Sequence, residues 1–172
     1  MLRRLACLLI VIFIFCGIVA CKKCGRSEQP VTTGFSCDID VNYQDMKVKG
    51  VLTRTLAGTL NLDISEPETL KGMSMQLNGE KITLKLHGLS FDVNPDLIPQ
   101  SALGKTLLGI LDAAIGNHDA GEVTDNGLLT KGSAVSGEFE ILSDPETGRL
   151  LTISMPSSDL VAEFSNFSVI SD

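Results

Sequence analysis

Apolar and polar residues alternate along most of the chain from residue 35 onward. Phe35, Cys37 and Ile39 alternate with polar neighbours, and the same two-residue period returns in several later segments. Successive side chains of a β-strand point to opposite faces of the sheet, so this period predicts strands with one buried face. About eight or nine such strands follow one another, and most are joined by short turns such as Asn78-Gly79.

Two irregularities interrupt the alternation. At Gly88 the parity of the apolar positions switches, which predicts a β-bulge, an extra residue that bends a strand. A second change of parity falls near Asn166 in the last predicted strand. We expect bends of this kind to curl a long sheet.

The period changes between Pro95 and Ile115, and from Leu103 onward the apolar residues recur mainly at spacings of three and four. This spacing predicts an amphipathic helix that begins near Pro99 and ends before Gly116-Asn117. Residues 117–130 are then predicted to form a loop. A sheet with one apolar face must cover that face, so the helix is expected to pack against it. The fold class is therefore predicted to be α+β, mainly β: a curved antiparallel sheet, or half-barrel, with one helix on its concave face.

The amino terminus carries a separate signal. Two arginines precede an uncharged apolar run, Leu5–Ala20, of about 16 residues. This is shorter than the ~20 residues that span a bilayer comfortably as a helix, so it favours a secretory signal. The run ends in Ile18-Val19-Ala20-Cys21, which resembles the lipobox of bacterial lipoprotein signal peptides.

The lipobox resemblance implies diacylglyceryl transfer to the Cys21 sulfur, which supplies acyl chains such as palmitate, and cleavage between Ala20 and Cys21. We therefore divide the chain into a signal peptide (1–20), a lipidated tether (21–33) and a β domain (34–172). The implied location is the extracytoplasmic face of the cell membrane, held by the lipid anchor. The alternative is an uncleaved signal anchor.

Two cysteines remain once the signal is removed and Cys21 is acylated. Outside the cytoplasm Cys24 and Cys37 can form a disulfide, and the alternative is two free thiols.

The net charge restricts the range of partners. It is −7 for the whole chain, and without residues 1–20 there are 12 basic and 21 acidic side chains, or −9. Such a surface repels phosphate backbones, so nucleic acid is excluded as a partner. It should also hold the folded domain away from anionic lipid, except near Lys22, Lys23 and Arg26.

The sequence offers little that points to catalysis. His87 and His118 are the only histidines, and neither has metal ligands at a suitable spacing. No nucleophile elbow or phosphate-binding glycine loop occurs. The acid pairs Asp38/Asp40 and Glu138/Glu140 lie on the solvent parity of their strands. We therefore predict no enzyme activity, no metal and no cofactor.

Several short motifs support a resemblance to a known group of proteins. They are Leu70-Lys-Gly, the Gly-x-Leu-x-Leu-x-Ile-x-x-Pro pattern ending at Pro67, Gly79-x-x-Ile-x-Leu, and the Gly-x-Phe-x-Ile-x-x-Asp-Pro-x-Thr-Gly pattern ending at Gly148. Over residues 35–169 the chain resembles the LolA/LolB/LppX group of envelope lipoproteins and lipoprotein carriers, and the small Gram-positive lipoproteins of that fold most of all. The resemblance implies acyl chains held between a curved sheet and its helices. No individual binding residue carries over.

Two functional hypotheses remain open. In the first, the protein is a non-catalytic, lipid-anchored envelope protein that binds an acyl chain or another lipid between sheet and helix. The residues expected to line that space, or otherwise to form ordinary core, are Leu62, Met73, Met75, Leu84, Leu103, Leu107, Leu111, Phe139 and Met155. In the second, the core is filled, and the protein has a structural role or docks another envelope protein.

Overall fold

The computed structural model describes residues 34–79, 81–98, 102–116 and 121–170. The predicted signal peptide and tether, with Ala20, Cys21 and Cys24, therefore lie outside the described residues. Eleven antiparallel strands form one sheet: β1 (Gly34–Tyr43), β2 (Met46–Arg54), β3 (Leu60–Glu66), β4 (Ser74–Leu77), β5 (Ile82–Leu86), β6 (Leu89–Val93), β7 (Glu122–Thr124), β8 (Gly127–Ala134), β9 (Gly137–Ser143), β10 (Leu150–Met155) and β11 (Leu160–Ile170). The described part contains one α-helix, α1 (Leu103–Gly116), and three short 3-10 helices, Glu68–Leu70, Pro95–Leu97 and Pro156–Ser158.

The strand order across the sheet is β6-β5-β4-β3-β2-β1-β11-β10-β9-β8-β7. Each half is a meander, because every strand pairs with its neighbour in the chain. The two halves meet where β1 pairs with β11, with Gly34 opposite Ile170 and Tyr43 opposite Leu160. The first and last described strands thus form the centre of the sheet.

The sheet curves around α1. The helix lies against both β4 and β8, which are seven positions apart in the strand order. In a flat sheet seven strand spacings would separate them by about 34 Å. A helix of 14 residues is only about 21 Å long. Contact with both strands therefore requires the sheet to bend toward the helix.

One apolar core fills most of the space between the concave face and α1. The helix contributes Leu107, Ile110 and Leu111, each 0% exposed, at the spacing of three and four that the sequence predicts. Arg54 of β2 reaches the same layer, where its Nη2 donates to Oδ1 of Asp112 at 2.9 Å. The middle and the carboxyl-terminal half of α1 are thus sealed against the sheet.

These observations confirm the predicted fold class: mainly β, with a single antiparallel sheet, one helix and no closed barrel among the described residues. The parity change near Asn166 is also confirmed. The β1–β11 register shifts there, since Ser36 pairs with Ser168 but Asp38 pairs with Ser165, and Asn166 has a φ of 50°.

The prediction of a bulge at Gly88 was wrong. His87 and Gly88 form the two-residue turn of a hairpin between β5 and β6, with φ values of 49° and 83°. Two-residue hairpin turns favour positive φ, which glycine adopts without strain. The parity switches at this point because the chain reverses direction. A register irregularity lies instead between β2 and β3, at Lys49/Gly50.

The loop predicted for residues 117–130 was also wrong over most of its length. β7 (Glu122–Thr124) and the start of β8 occupy it, and Asp125 and Asn126 form the turn between them. The three residues of β7 are too few to display a period, and Leu128 and Leu129 are adjacent rather than alternating. The sheet consequently has eleven strands instead of eight or nine. α1 begins at Leu103, and residues 99–101 before it lie outside the described part.

Candidate functional site

An apolar cavity of about 320 Å³ lies between the amino-terminal end of α1 and strands β1 to β5. Its walls come from both sides of the gap between sheet and helix. Sixteen residues line it: Tyr43, Met46, Val48, Leu62, Ile64, Leu70, Met73, Met75, Leu77, Ile82, Leu84, Ile98, Ala102, Leu103, Gly104 and Lys105.

The cavity exists because α1 contacts the sheet unevenly. At Gly104 the helix passes so close to β4 that a Cβ would lie 2.6 Å from Sδ of Met75 and 3.2 Å from Leu77. Further along, Leu107, Ile110 and Leu111 fill the gap completely. Ala102, just before the helix, and Leu103, the first residue of the first helical turn, are only half buried. The space beneath that turn therefore stays open while the rest of the core is solid.

Only two of the lining side chains carry a polar nitrogen or oxygen atom. The Lys105 side chain is hydrogen-bonded to the segment just before the helix, because its Nζ donates to the carbonyl oxygens of Pro95 at 2.6 Å and Ile98 at 3.2 Å. These bonds fix the segment that closes one side of the cavity. Tyr43 is 5% exposed, and its phenol oxygen is buried without a hydrogen-bond partner among the described residues. A buried hydroxyl without a partner costs about 1–3 kcal/mol, so a ligand oxygen within its reach would recover part of that loss.

The structure brings five of the nine expected lining residues together. Leu62, Met73, Met75, Leu84 and Leu103 all face the cavity. The other four are almost fully buried core residues away from it: Leu107, Leu111, Phe139 and Met155. These four residues belong to the ordinary hydrophobic core.

Sequence reasoning missed the wall formed near the β1–β2 turn. Tyr43, Met46 and Val48 reach the cavity because β1 ends and β2 begins beneath the start of α1. The alternation marks all three as inward-facing, which is a usable signal. It carries no information on how far along the strands the helix would lie.

The size and chemistry of the cavity restrict its ligand. Its volume is about twice that of the ~150 Å³ engineered cavity that binds benzene, and it lies at the lower end of small-molecule sites, ~300–1,000 Å³. Aliphatic and thioether side chains suit an irregular aliphatic guest. The size and the apolar lining of the site therefore suit a slender apolar molecule.

A second, larger depression of about 560 Å³ lies beside β8 and β9. Charged side chains line much of it, including Lys131, Glu138 and Glu140. Lys131 and Glu140 form an ion pair at 2.8 Å across the two strands. We regard this depression as ordinary solvated surface, in keeping with the solvent-facing position that the sequence predicts for Glu138 and Glu140.

The remaining described candidates from the sequence, Cys37 and His87, do not line the cavity. Cys37 is 2% exposed, and burial together with the nearby Asp38 carboxylate raises its pKa to about 12. Its disulfide with Cys24 stays a prediction because Cys24 is outside the described residues. His87 lies in the exposed β5–β6 turn, whereas His118 is not described.

Neither a metal site nor a membrane-spanning helix is present in the described part of the chain. No cluster of His, Cys, Asp and Glu there could hold a metal ion, and no helix there combines the length and the hydrophobicity that crossing a bilayer requires.

No protein-family model matches the chain, and no curated protein matches it significantly.

Solved structures do resemble it. An uncharacterized conserved protein from Thermus thermophilus is 11% identical with a TM-score of 0.52, over 86% of this chain and 85% of that one. A LolA superfamily protein from Nitrosomonas europaea is 10% identical with a TM-score of 0.42, over 82% and 88% of the two chains. A DUF1329 family protein from Desulfovibrio piger ATCC 29098 is 9% identical with a TM-score of 0.44, over 87% and 92%. At 11% identity the likeness to the Thermus protein shows a shared fold and nothing further.

Proposed function

We propose that this protein is a lipid-anchored, extracytoplasmic binding protein that holds one acyl chain or a similar apolar ligand between its sheet and the start of α1, without catalysis. The observation that carries the proposal is the cavity, which is apolar on all sides except for Tyr43 and Lys105. An apolar volume of this size forfeits dispersion contacts, which an aliphatic guest would restore.

The position of the cavity also favours binding over a purely structural role. The alternative, a structural or partner-docking lipoprotein, expects a solid core beneath the whole helix. The core is solid only from Leu107 to Ala114, and the first turn of α1 lies over open space. Ligand entry at that end would leave the sealed half of the core undisturbed.

Native mass spectrometry of residues 22–172 tests the ligand. We expect a co-purifying lipid mass, or uptake of added palmitate by the delipidated protein. Leu84→Trp should reduce that uptake because Leu84 lines the cavity and the larger ring would fill it. Leu86→Trp is the matched control, since Leu86 lies on the same face of the same strand, is also half buried and does not line the cavity. Clean ligand-free spectra after palmitate addition would refute binding and favour the structural alternative.

The anchor is tested separately. Cys21→Ser removes the thiol that the lipobox resemblance designates for acylation. We expect the variant to accumulate as an uncleaved precursor without an acyl mass, while the unsubstituted chain matures to an acylated form beginning at residue 21. A Cys24→Ser variant, three positions away, should mature normally. If Cys21→Ser reaches mature size and stays with the membrane, the proposed lipid anchor is wrong.

A further inference from the structure

Three large apolar side chains are exposed together at the β6 edge of the sheet. Leu89 is 62% exposed, Phe91 is 54% exposed and Leu97, in the 3-10 helix that follows β6, is 77% exposed. We call these three residues the apolar rim. Exposed apolar residues are unremarkable singly, but Leu89 and Phe91 lie two positions apart on one face of an edge strand, and exposed apolar groups that are neighbours mark an interaction surface.

The apolar rim is continuous with the cavity. Phe91 is the register partner of Leu84, which lines the cavity, so both side chains lie on the concave face. Leu97 directly precedes Ile98, another lining residue. Half-buried Leu84 and Ile98 thus lie between the inner wall of the cavity and the exposed edge.

Charge distinguishes this end of the sheet from the other. Residues 71–98, which contain β4 to β6, carry three basic and three acidic side chains. Residues 121–170, which contain β7 to β11, carry two basic and eight acidic ones. An anionic lipid surface repels the acidic end but not the neutral end. The domain would therefore approach a membrane with the apolar rim toward it.

The chain before β1 is long enough to permit this approach. Residues 21–33 are 13 residues, which span at most about 45 Å when fully extended. The ten residues of β1 measure about 33 Å. An anchor at Cys21 therefore leaves either end of the strands free to reach the bilayer that holds it.

We propose that the apolar rim docks on the surface of a lipid bilayer, so that the cavity opens toward the acyl layer and exchanges its ligand with it. This inference rests on the proposed function, because docking would promote ligand exchange only if the cavity binds a ligand. The driving force is burial of Leu89, Phe91 and Leu97, and the acidic β7–β11 end sets the orientation.

The protein contains no tryptophan, which permits a residue-specific test. Leu89→Trp and Leu97→Trp would be made singly in the full chain and reconstituted into vesicles of phosphatidylcholine and phosphatidylglycerol. Val123→Trp is the matched control, because Val123 is 74% exposed at the opposite edge strand. We expect the new indole in each of the two rim variants to emit at shorter wavelength with vesicles and to lose emission when the acyl chains are brominated. The Val123→Trp variant should do neither.

The outcomes separate the two proposals. Quenching in both rim variants of a protein that takes up no palmitate would leave docking correct and ligand binding wrong. Palmitate uptake without quenching in either rim variant would overturn docking and leave ligand binding in place. Equal quenching of Val123→Trp would also overturn docking. So would an emission shift that depends on protein concentration in the absence of lipid, because the apolar rim would then pair with a second copy of the protein. Circular dichroism of each variant establishes that the sheet is intact.

Discussion

At the scale of single residues, the contact between Arg54 and Asp112 joins helix to sheet. Arg54 is 5% exposed and carries one guanidinium nitrogen, Nη1, without a hydrogen-bond partner among the described residues. Its Nη2 relies on Asp112, a helix side chain that is 56% exposed. A buried cation is costly unless it is paired, so the Asp112 carboxylate offsets the cost of burying the Arg54 guanidinium in the core.

Loss of that carboxylate should destabilise the fold. We expect Asp112→Ala to lower the free energy of unfolding by about 1–3 kcal/mol, because the Arg54 charge stays buried without its partner. The double variant Arg54→Met, Asp112→Ala should lose less than the single variant, since an apolar side chain of similar length needs no partner. Urea unfolding of both variants beside the unsubstituted chain measures this. A double variant that is less stable than Asp112→Ala would contradict the account.

A second residue-scale prediction concerns Cys37 and alkaline pH, for the protein in which Cys37 carries a free thiol. Its pKa is raised from 9.0 to about 12 in the folded protein, so the thiol stays protonated where the unfolded chain ionises. The corresponding contribution to stability is complete below pH 9 and is lost as pH rises from 9 toward 12, at up to about 1.4 kcal/mol per pH unit.

The check is a comparison of urea unfolding at pH 8 and pH 10 for the unsubstituted chain and for Cys37→Ala. The unsubstituted chain should lose more stability between the two pH values than the variant does. Equal losses would show that Cys37 ionises similarly in both states. Thiol reagents should accordingly react with Cys37 only after unfolding, since it is 2% exposed.

At the scale of elements, the sequence predicted those strands whose two faces differ. In β1 the inward Phe35, Cys37 and Ile39 are 2% exposed or less, so alternation identifies the strand clearly. It failed for β7, where three residues show no period. It also took the β5–β6 hairpin for one bent strand, because Leu86 and Leu89 keep the same face across a two-residue turn. Periodicity reports which face is buried but not where the chain reverses.

A prediction at this scale concerns the close approach of β2 and β3. A Cβ at Gly50 would overlap the carbonyl oxygen of Asp63, a backbone atom that cannot move without disturbing the register. We expect Gly50→Ala to lower the free energy of unfolding by about 1–3 kcal/mol. Gly109→Ala should instead raise it by about 0.5–1 kcal/mol, because Gly109 lies within α1 and a Cβ there meets nothing within 4 Å. Thermal unfolding of both variants measures these changes in stability. If both substitutions destabilise the protein, the contact at Gly50 does not explain the loss of stability.

At the scale of the whole molecule, the candidate site was only partly predictable. The inward parity of Leu62, Met73 and Leu84 follows from alternation, so their contribution to an apolar lining could be inferred. The open volume could not be, because it depends on where α1 lies over the sheet. That position results from contacts distant in sequence, such as those of Gly104 with β4 and of Asp112 with β2. The pairing of β1 with β11 could not be predicted either, because no local sequence pattern relates two strands that lie so far apart in the chain.

This central pairing supports a prediction about truncation. A chain that ends at Asp159 lacks β11 and leaves β1 as an edge, with the two halves of the sheet separated. We expect such a chain to lose its cooperative thermal transition. A chain that ends at Ile170 retains every described strand and should unfold at the temperature of the complete chain. A cooperative transition in the shorter chain would show that β1 to β6 fold as an independent unit.

The same pairing has a consequence for biosynthesis. As the ribosome releases the chain, β1 emerges first among the described strands, and its partner β11 emerges last. The two halves cannot be joined before translation of the domain is almost complete, however quickly the hairpins on either side form. The complete sheet therefore cannot form until the final strand appears, which would favour export of the nascent polypeptide in an incompletely folded state if the protein is secreted as we propose.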